Sequence, residues 1–280
     1  MNYQHDFHAG NFADVFKHII FACILSRLCV KPTAFRYIDT HAGSGIYDLS
    51  SPEAGRTAEW QGGIGKMLAA KPPTEVQEVV APYLRIAAPL AGLRPPRYTA
   101  SPAIAKALLR GQDKMLFCEA HPRAFSKLKA NLGTDSRAKL FEMDGYMALR
   151  AFVPPVERRG LVLIDPPYEE VGELERAAEA LAQAWRKWAT GIYALWYPVK
   201  EKEPVATIAP NFARWGMEKV LRLELQIDRP MPQRPLSCCG LLIVNPPFRL
   251  DDQAKILLPW LANCLGNDQP GYRVDWLCEG

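Results

Sequence analysis

The sequence predicts an α/β fold: a mostly parallel sheet with helices on both faces. Two observations carry this. Short apolar runs of five to nine residues alternate with segments of helical spacing along most of the chain, which is the pattern of a parallel sheet covered on both sides. The last two apolar runs, 219–227 and 239–245, are instead joined by a Pro-rich loop with no helix between them, so a hairpin reverses the final strand.

The elements follow in order. Phe12, Val15, Phe16, Ile19, Cys23 and Ile24 recur at helical spacing, which predicts a helix over 11–29 ended by Pro32. FRYIDT (35–40) is a strand running into a glycine-bearing turn, His41-Ala42-Gly43-Ser44-Gly45. Pro and Gly breaks then surround two helical patterns, 54–71 and 74–91, with no strand signal. Residues 48–97 are therefore expected to be an inserted helical subdomain, and 1–47 with 98–280 the main domain. Ser101-Pro102 starts a helix as cap and first residue. Strands are then expected over 115–120, 138–144, 160–165 and 192–198, followed by helices over 122–132, 145–152, 171–188 and 202–215. Seven strands with only the last reversed resemble the sheet of class I (Rossmann-like) methyltransferases, where ligands gather at the carboxyl ends of the parallel strands.

Composition sets limits on partners. With 34 Lys+Arg against 30 Asp+Glu, the net charge of +4 permits a polyanionic partner without demanding one. Seven scattered cysteines contain no Cys-x-x-Cys pair, which argues against a zinc ribbon or a disulfide framework and for reduced thiols in the cytoplasm. The amino-terminal residues lack the apolar stretch of a signal peptide, and the run 18–30 is too short to span a bilayer. The five histidines match no metal-ligand spacing, so no metal is expected.

The strongest chemical signal is Asp165-Pro166-Pro167-Tyr168, directly after GLVLID. The lone pair of an adenine N6 is delocalised into the ring and nucleophilically weak. An Asp165 carboxylate and a Pro166 carbonyl can each accept one N–H bond, turning that lone pair toward an electrophilic methyl group. Two prolines stiffen the backbone there, and Tyr168 can stack on an extruded base. A strand-ending turn is the plain alternative for an Asp-Pro pair.

Asn245-Pro246-Pro247-Phe248 would be an equally good motif taken alone. It ends the reversed strand, however, and so falls on the opposite edge of the sheet. The loop before that strand, 228–237 with Arg229 and Arg234, reaches the active edge and is a candidate substrate clamp. Residues 39–45 form the candidate cofactor loop, although the full G-x-G-x-x-G of dinucleotide binders is missing. Glu119, after the second strand, is placed to hold ribose hydroxyls, and Asp144-Gly145, after the third, to meet an adenine amino group.

These motifs, with Tyr3-x-His5-Asp6-Phe7-His8-Ala9-Gly10-Asn11, Ala13-Asp14-Val15-x-Lys17-His18, Tyr193-Ala194-Leu195-Trp196-Tyr197-Pro198 and Asn245-Pro246-Pro247, closely resemble the RlmJ family of 23S rRNA adenine-N6 methyltransferases from end to end. The resemblance implies S-adenosyl-L-methionine as cofactor and one adenine of 23S rRNA, 2030 in the customary rRNA numbering, as target. It implies cofactor contacts at His18, His41 and Ser101, then at Glu119, Asp144, Gly145 and Asp165. Asp165 is the implied catalytic acceptor, with Pro166 and Tyr168 beside it. Tyr3 is implied to touch the RNA, with His5, Lys17 and Tyr168 as further substrate contacts. The expected protein is a soluble cytoplasmic monomer. A DNA adenine methyltransferase would use the same four-residue motif but normally adds a recognition domain. A cofactor-binding rRNA assembly factor would have no need of the motif.

Overall fold

In the computed structural model, described for residues 3–200, 205–229 and 236–279, an eight-stranded sheet runs β5-β4-β1-β6-β7-β9-β8-β10. Its strands are β1 (Arg36–Asp39), β4 (Lys114–Glu119), β5 (Ala138–Glu142), β6 (Gly160–Ile164), β7 (Ile192–Pro198), β8 (Val220–Gln226), β9 (Cys238–Val244) and β10 (Gly271–Cys278). β1 pairs in parallel with both β4 and β6, so the strand order turns outward from β1, and a crevice opens above its carboxyl end.

The expectation of seven strands with one reversed needs correcting. β9 is reversed, as the hairpin implied, and lies between β7 and β8. β10 is a second reversed strand that pairs with β8 and forms the edge itself. Sequence reading missed β10 and the helix before it, α10 (Leu250–Leu265).

The central strands read as unbroken apolar runs because both faces are covered. Every residue of β6 is buried. Leu161 and Leu163 face one core with α1 (Phe12–Val30) and α10, while Val162 and Ile164 face the other with α8 (Glu173–Lys187). α1 is buried nearly all round, because the segment between β1 and β4 covers it from outside.

That segment departs from expectation in two ways. It is bounded by a two-stranded antiparallel ribbon, β2 (Ile46–Asp48) with β3 (Arg97–Thr99), where no strand was expected. The first helical pattern is broken into α2 (Pro52–Thr57), a π-helical turn (Gln61–Gly65) and α3 (Lys66–Ala69), with left-handed Ala58 ending α2. The second is continuous as α4 (Thr74–Ala91), which packs on α1. The remaining helices are α5 (Ser101–Leu108), α6 (Pro122–Leu132), α7 (Gly145–Phe152) and α9 (Ala209–Arg214). Among the described residues no helix is long and apolar enough to cross a membrane.

Candidate active site

The loops after β1, β4, β6 and β7 converge with the amino-terminal segment on a cleft of about 520 Å³. The loop after β1 is tied to both neighbouring strands: the Thr40 amide donates to the Leu163 carbonyl and the Ala42 amide to that of Cys118. Gly43 has φ of 62°, and a Cβ there would stand 2.3 Å from the Tyr47 hydroxyl, so only glycine lets the chain turn here. The Gly43 amide donates to Glu119 Oε2 at 2.7 Å, and the His121 amide to Oε1 at 2.7 Å. Glu119 thus fastens the loops after β1 and β4 together, and burial pushes its carboxyl above the usual range.

Asp165 leaves the end of β6 and meets α1. Its Oδ2 accepts from Lys17 Nζ at 2.5 Å. Lys17 Nζ also lies 3.1 Å from Asp14 Oδ1. Asp14 Oδ2 faces His5 Nε2 at 2.9 Å, and His5 Nδ1 faces the Tyr3 hydroxyl at 2.8 Å. Tyr3, His5, Asp14, Lys17 and Asp165 therefore form one continuous polar chain. Burial alone would depress the Lys17 ammonium, but Asp165 and Asp14 outweigh it and hold it above the ordinary lysine value.

Pro166 and Tyr168 line the same wall. Tyr168 adopts a left-handed φ of 53°. Its hydroxyl donates to the Trp196 carbonyl at 2.5 Å, and its ring meets that of Trp196 edge-on at 5.6 Å. Trp196, from β7, also carries Lys17 over its ring at 5.7 Å.

His18 and His41 line the cleft, and burial holds both neutral, pulling them down to about 3 and about 4. His18 Nδ1 meets the Tyr98 hydroxyl, and His41 Nδ1 the Thr40 hydroxyl. Ser101 also lines the cleft and donates to Asp39 Oδ2 at 2.7 Å, alongside the Tyr37 hydroxyl at 2.6 Å. Asp39 is fully buried, and burial raises it to about 6. Asp144 and Gly145 stand apart from the cleft lining. Asp144 caps α7 by accepting from the Met147 amide, and Gly145 packs beneath the His41 ring.

The amino-terminal segment is held over the cleft by the chain between β2 and β3. His8 Nδ1 pairs with Glu59 at 3.0 Å, Asn11 Nδ2 donates to the same carboxylate, and the Thr57 hydroxyl donates to the Phe7 carbonyl. Asn245, ending the reversed β9, is far from this assembly. Its Nδ2 donates to the carbonyls of Ala189 and Gly191, on the amino-terminal side of β7. Arg229 is exposed, and Arg234 of the suggested clamp lies outside the described residues. Among the described residues no group of three or more His, Cys, Asp or Glu could hold a metal ion.

Residues 32–278 match the family model described as "Ribosomal RNA large subunit methyltransferase D, RlmJ". The chain is 38% identical to the ribosomal RNA large subunit methyltransferase J of Haemophilus influenzae, and 38% identical to that of Escherichia coli. Each alignment covers 99% of both proteins. This chain belongs to the RlmJ family. A crystal structure of a Legionella pneumophila protein overlays it with a TM-score of 0.84 at 31% identity, covering 96% of this chain and 98% of that one.

The RlmJ-family cleft has the volume of a nucleoside-sized ligand site. Glycines at the first loop and an acidic side chain at the end of β4 suit a sulfonium nucleoside. Reading the sequence missed three residues here. Asp14 gave one signal, a carboxylate three residues before Lys17 on a helix. Trp196 gave its place at the end of a strand within a family motif but no role, and Glu59 gave no signal, because its partner His8 is 51 residues away.

Proposed function

We propose that this protein transfers a methyl group from S-adenosyl-L-methionine to the exocyclic N6 of one adenine in 23S rRNA. The observation that carries this reading is the position of Asp165, Pro166 and Tyr168 along one wall of the cleft that the β1 and β4 loops also line. Glu119 and the Gly43 loop are suited to the ribose end of the cofactor, with His18, His41 and Ser101 beside them. When bound, the cofactor supplies an electrophilic methyl carbon.

The chain's own residues do the rest. Asp165 and the Pro166 carbonyl accept the two N6 hydrogens, which frees the nitrogen lone pair to attack. Transfer leaves that nitrogen cationic, and Asp165 or water takes its proton. Tyr168 offers its ring to an extruded adenine, an easier substrate in looped RNA than in a duplex. Arg123, Lys127 and Lys200 at the cleft supply positive charge for the RNA backbone.

The test is transfer of labelled methyl to stripped 23S rRNA, with Asp165→Ala as control and nucleoside mass spectrometry of the product. N6-methyladenosine that depends on Asp165 is expected. Methylation of duplex DNA in preference to rRNA would overturn the reading, as would transfer that survives Asp165→Ala.

A further inference from the structure

Asp14 takes no part in the chemistry outlined above, yet its carboxylate engages three partners. It is 2% exposed, in the first turn of α1. Its Oδ2 accepts from the Gly10 amide at 2.9 Å and faces His5 Nε2, while Oδ1 faces Lys17 Nζ. Asn11 caps the helix, and holding the Gly10 amide needs only a neutral acceptor such as asparagine. Burying a full negative charge is expensive unless it is paired and hydrogen-bonded.

Lys17, which is 7% exposed, is flanked by two carboxylates, Asp14 on one side and Asp165 on the other, and the His5 imidazole meets Asp14 on its second oxygen. Burial would raise the Asp14 carboxyl, but His5 and Lys17 overcome it and hold Asp14 well below the usual carboxylate range. Of its other ionisable neighbours, His18 is held neutral by burial. With Lys17 facing Asp165 alone, the pair would be neutral, and the carboxylate that meets a developing cation would be largely cancelled. A charge fixed in place before reaction is the most effective kind of stabilisation in a closed site.

We propose that Asp14 is a positioning residue: it engages Lys17 from the far side, so that Asp165 keeps a net negative charge for the cation that forms in the cleft. This rests on the methyltransferase reading above, but its test does not require the RNA substrate. The sulfonium of S-adenosylmethionine is cationic, and the sulfide of S-adenosylhomocysteine is neutral. The ratio of their affinities therefore reports the charge of the site, whereas a loss of packing weakens both alike.

Calorimetric titration of the full chain with each ligand gives that ratio. In Asp14→Asn the preference for the sulfonium should fall on the order of ten-fold, and Asp14→Glu should restore most of it. Methyl transfer at saturating cofactor should fall in kcat more than in KM, in the same order of variants. An unchanged ratio in a folded Asp14→Asn protein would overturn the proposal, as would equal losses in Asn and Glu variants. If Asp14→Asn does not fold, Asp14→Ser, which keeps an acceptor for the Gly10 amide, is read by the same ratio. A wild-type product other than N6-methyladenosine would overturn the adenine assignment and leave the ligand ratio to decide on Asp14.

Discussion

Gly63 is the point where the chain between β2 and β3 meets the amino-terminal segment, and replacing it tests how far the cleft depends on that contact. It lies in the π-helical turn, buried. A Cβ built there would stand 2.1 Å from the Gly10 carbonyl oxygen, 2.4 Å from the Asn11 carbonyl carbon and 2.7 Å from its Cα. All three are backbone atoms, so no rotamer change relieves the clash. The Gly10 carbonyl also accepts from the Ile64 amide at 2.9 Å, and that bond must open if the segments part. Overpacking of this kind costs about 1–3 kcal/mol. For a chain of this size that converts to a fall in Tm of roughly 2–5 °C.

The neighbouring Gly62 is a control within the same turn, because a Cβ there meets nothing within 4 Å. Gly62→Ala should be neutral, or stabilising by about 0.4–1 kcal/mol. Differential scanning calorimetry of both variants, with methyl transfer at 25 °C, checks the expectation. Gly63→Ala should also lose transfer, since Gly10 and Asn11 carry Asp14, and through it His5 and Lys17. A Gly63→Ala protein with wild-type Tm and rate would refute the idea that this contact sets the amino-terminal segment.

Three further outcomes are expected. His18, pulled down to about 3 by burial, is neutral in the folded chain while its unfolded form titrates near 6.5. Its contribution is complete above that value and is lost as pH falls toward 3, so His18→Asn should lower the slope of stability against pH near pH 5 by about one proton, or about 1.4 kcal/mol per pH unit. Urea melts at pH 7 and pH 4.5 measure this, and equal slopes in variant and wild type would contradict it. Asn245→Ala should destabilise by about 1–3 kcal/mol through two lost hydrogen bonds at a left-handed φ of 54°, while transfer at 25 °C is unchanged; a large loss of rate would mean that the second Pro-Pro motif belongs to the site. Tyr168→Phe should keep transfer within about ten-fold because the ring remains, whereas Tyr168→Ala should raise the KM for RNA by the roughly 1–3 kcal/mol of a lost stack. Equal effects of the two would argue that the bond to the Trp196 carbonyl matters and the ring does not.

How much of this was legible from residue order depends on how each element is buried. β6 and β7 announce themselves because both faces are covered, which leaves a nearly unbroken apolar run. β2 and β3 are three residues each, too short to show a repeated alternation, and they pair across the whole inserted segment. β10 does alternate, with Tyr272, Val274 and Trp276 apart from Arg273 and Asp275. As a half-exposed edge strand after a helix containing Pro259, it lacks the dense apolar run that marks its neighbours. In the site, residues fixed by the end of a strand could be placed in advance: Asp165, Glu119 and His41. Asp144, in an equivalent position, caps α7 through Oδ1, a local bond that register alone does not reveal. The pairs that cross long separations, Lys17 with Asp165 and His8 with Glu59, follow only once α1 is seen to run beneath the cleft.

The two Pro-Pro motifs show why strand direction has to be settled before a motif is given a role. Asp165-Pro166-Pro167-Tyr168 and Asn245-Pro246-Pro247-Phe248 both follow a fully buried strand, and both contain one left-handed residue, Tyr168 and Asn245. β6 runs parallel to β1, so its motif emerges beside the Gly43 loop and Lys17. β9 runs against β7, with Val244 opposite Tyr193 at the start of that strand, so its motif emerges at the opposite edge. There the Asn245 amide side chain finds only the carbonyls of the turn before β7, and Phe248 lies under the Arg27 guanidinium. A carboxylate at 245 would face the two carbonyl oxygens of Ala189 and Gly191. The amide, which can donate, is the side chain this edge requires, and the acid is the one the cleft requires.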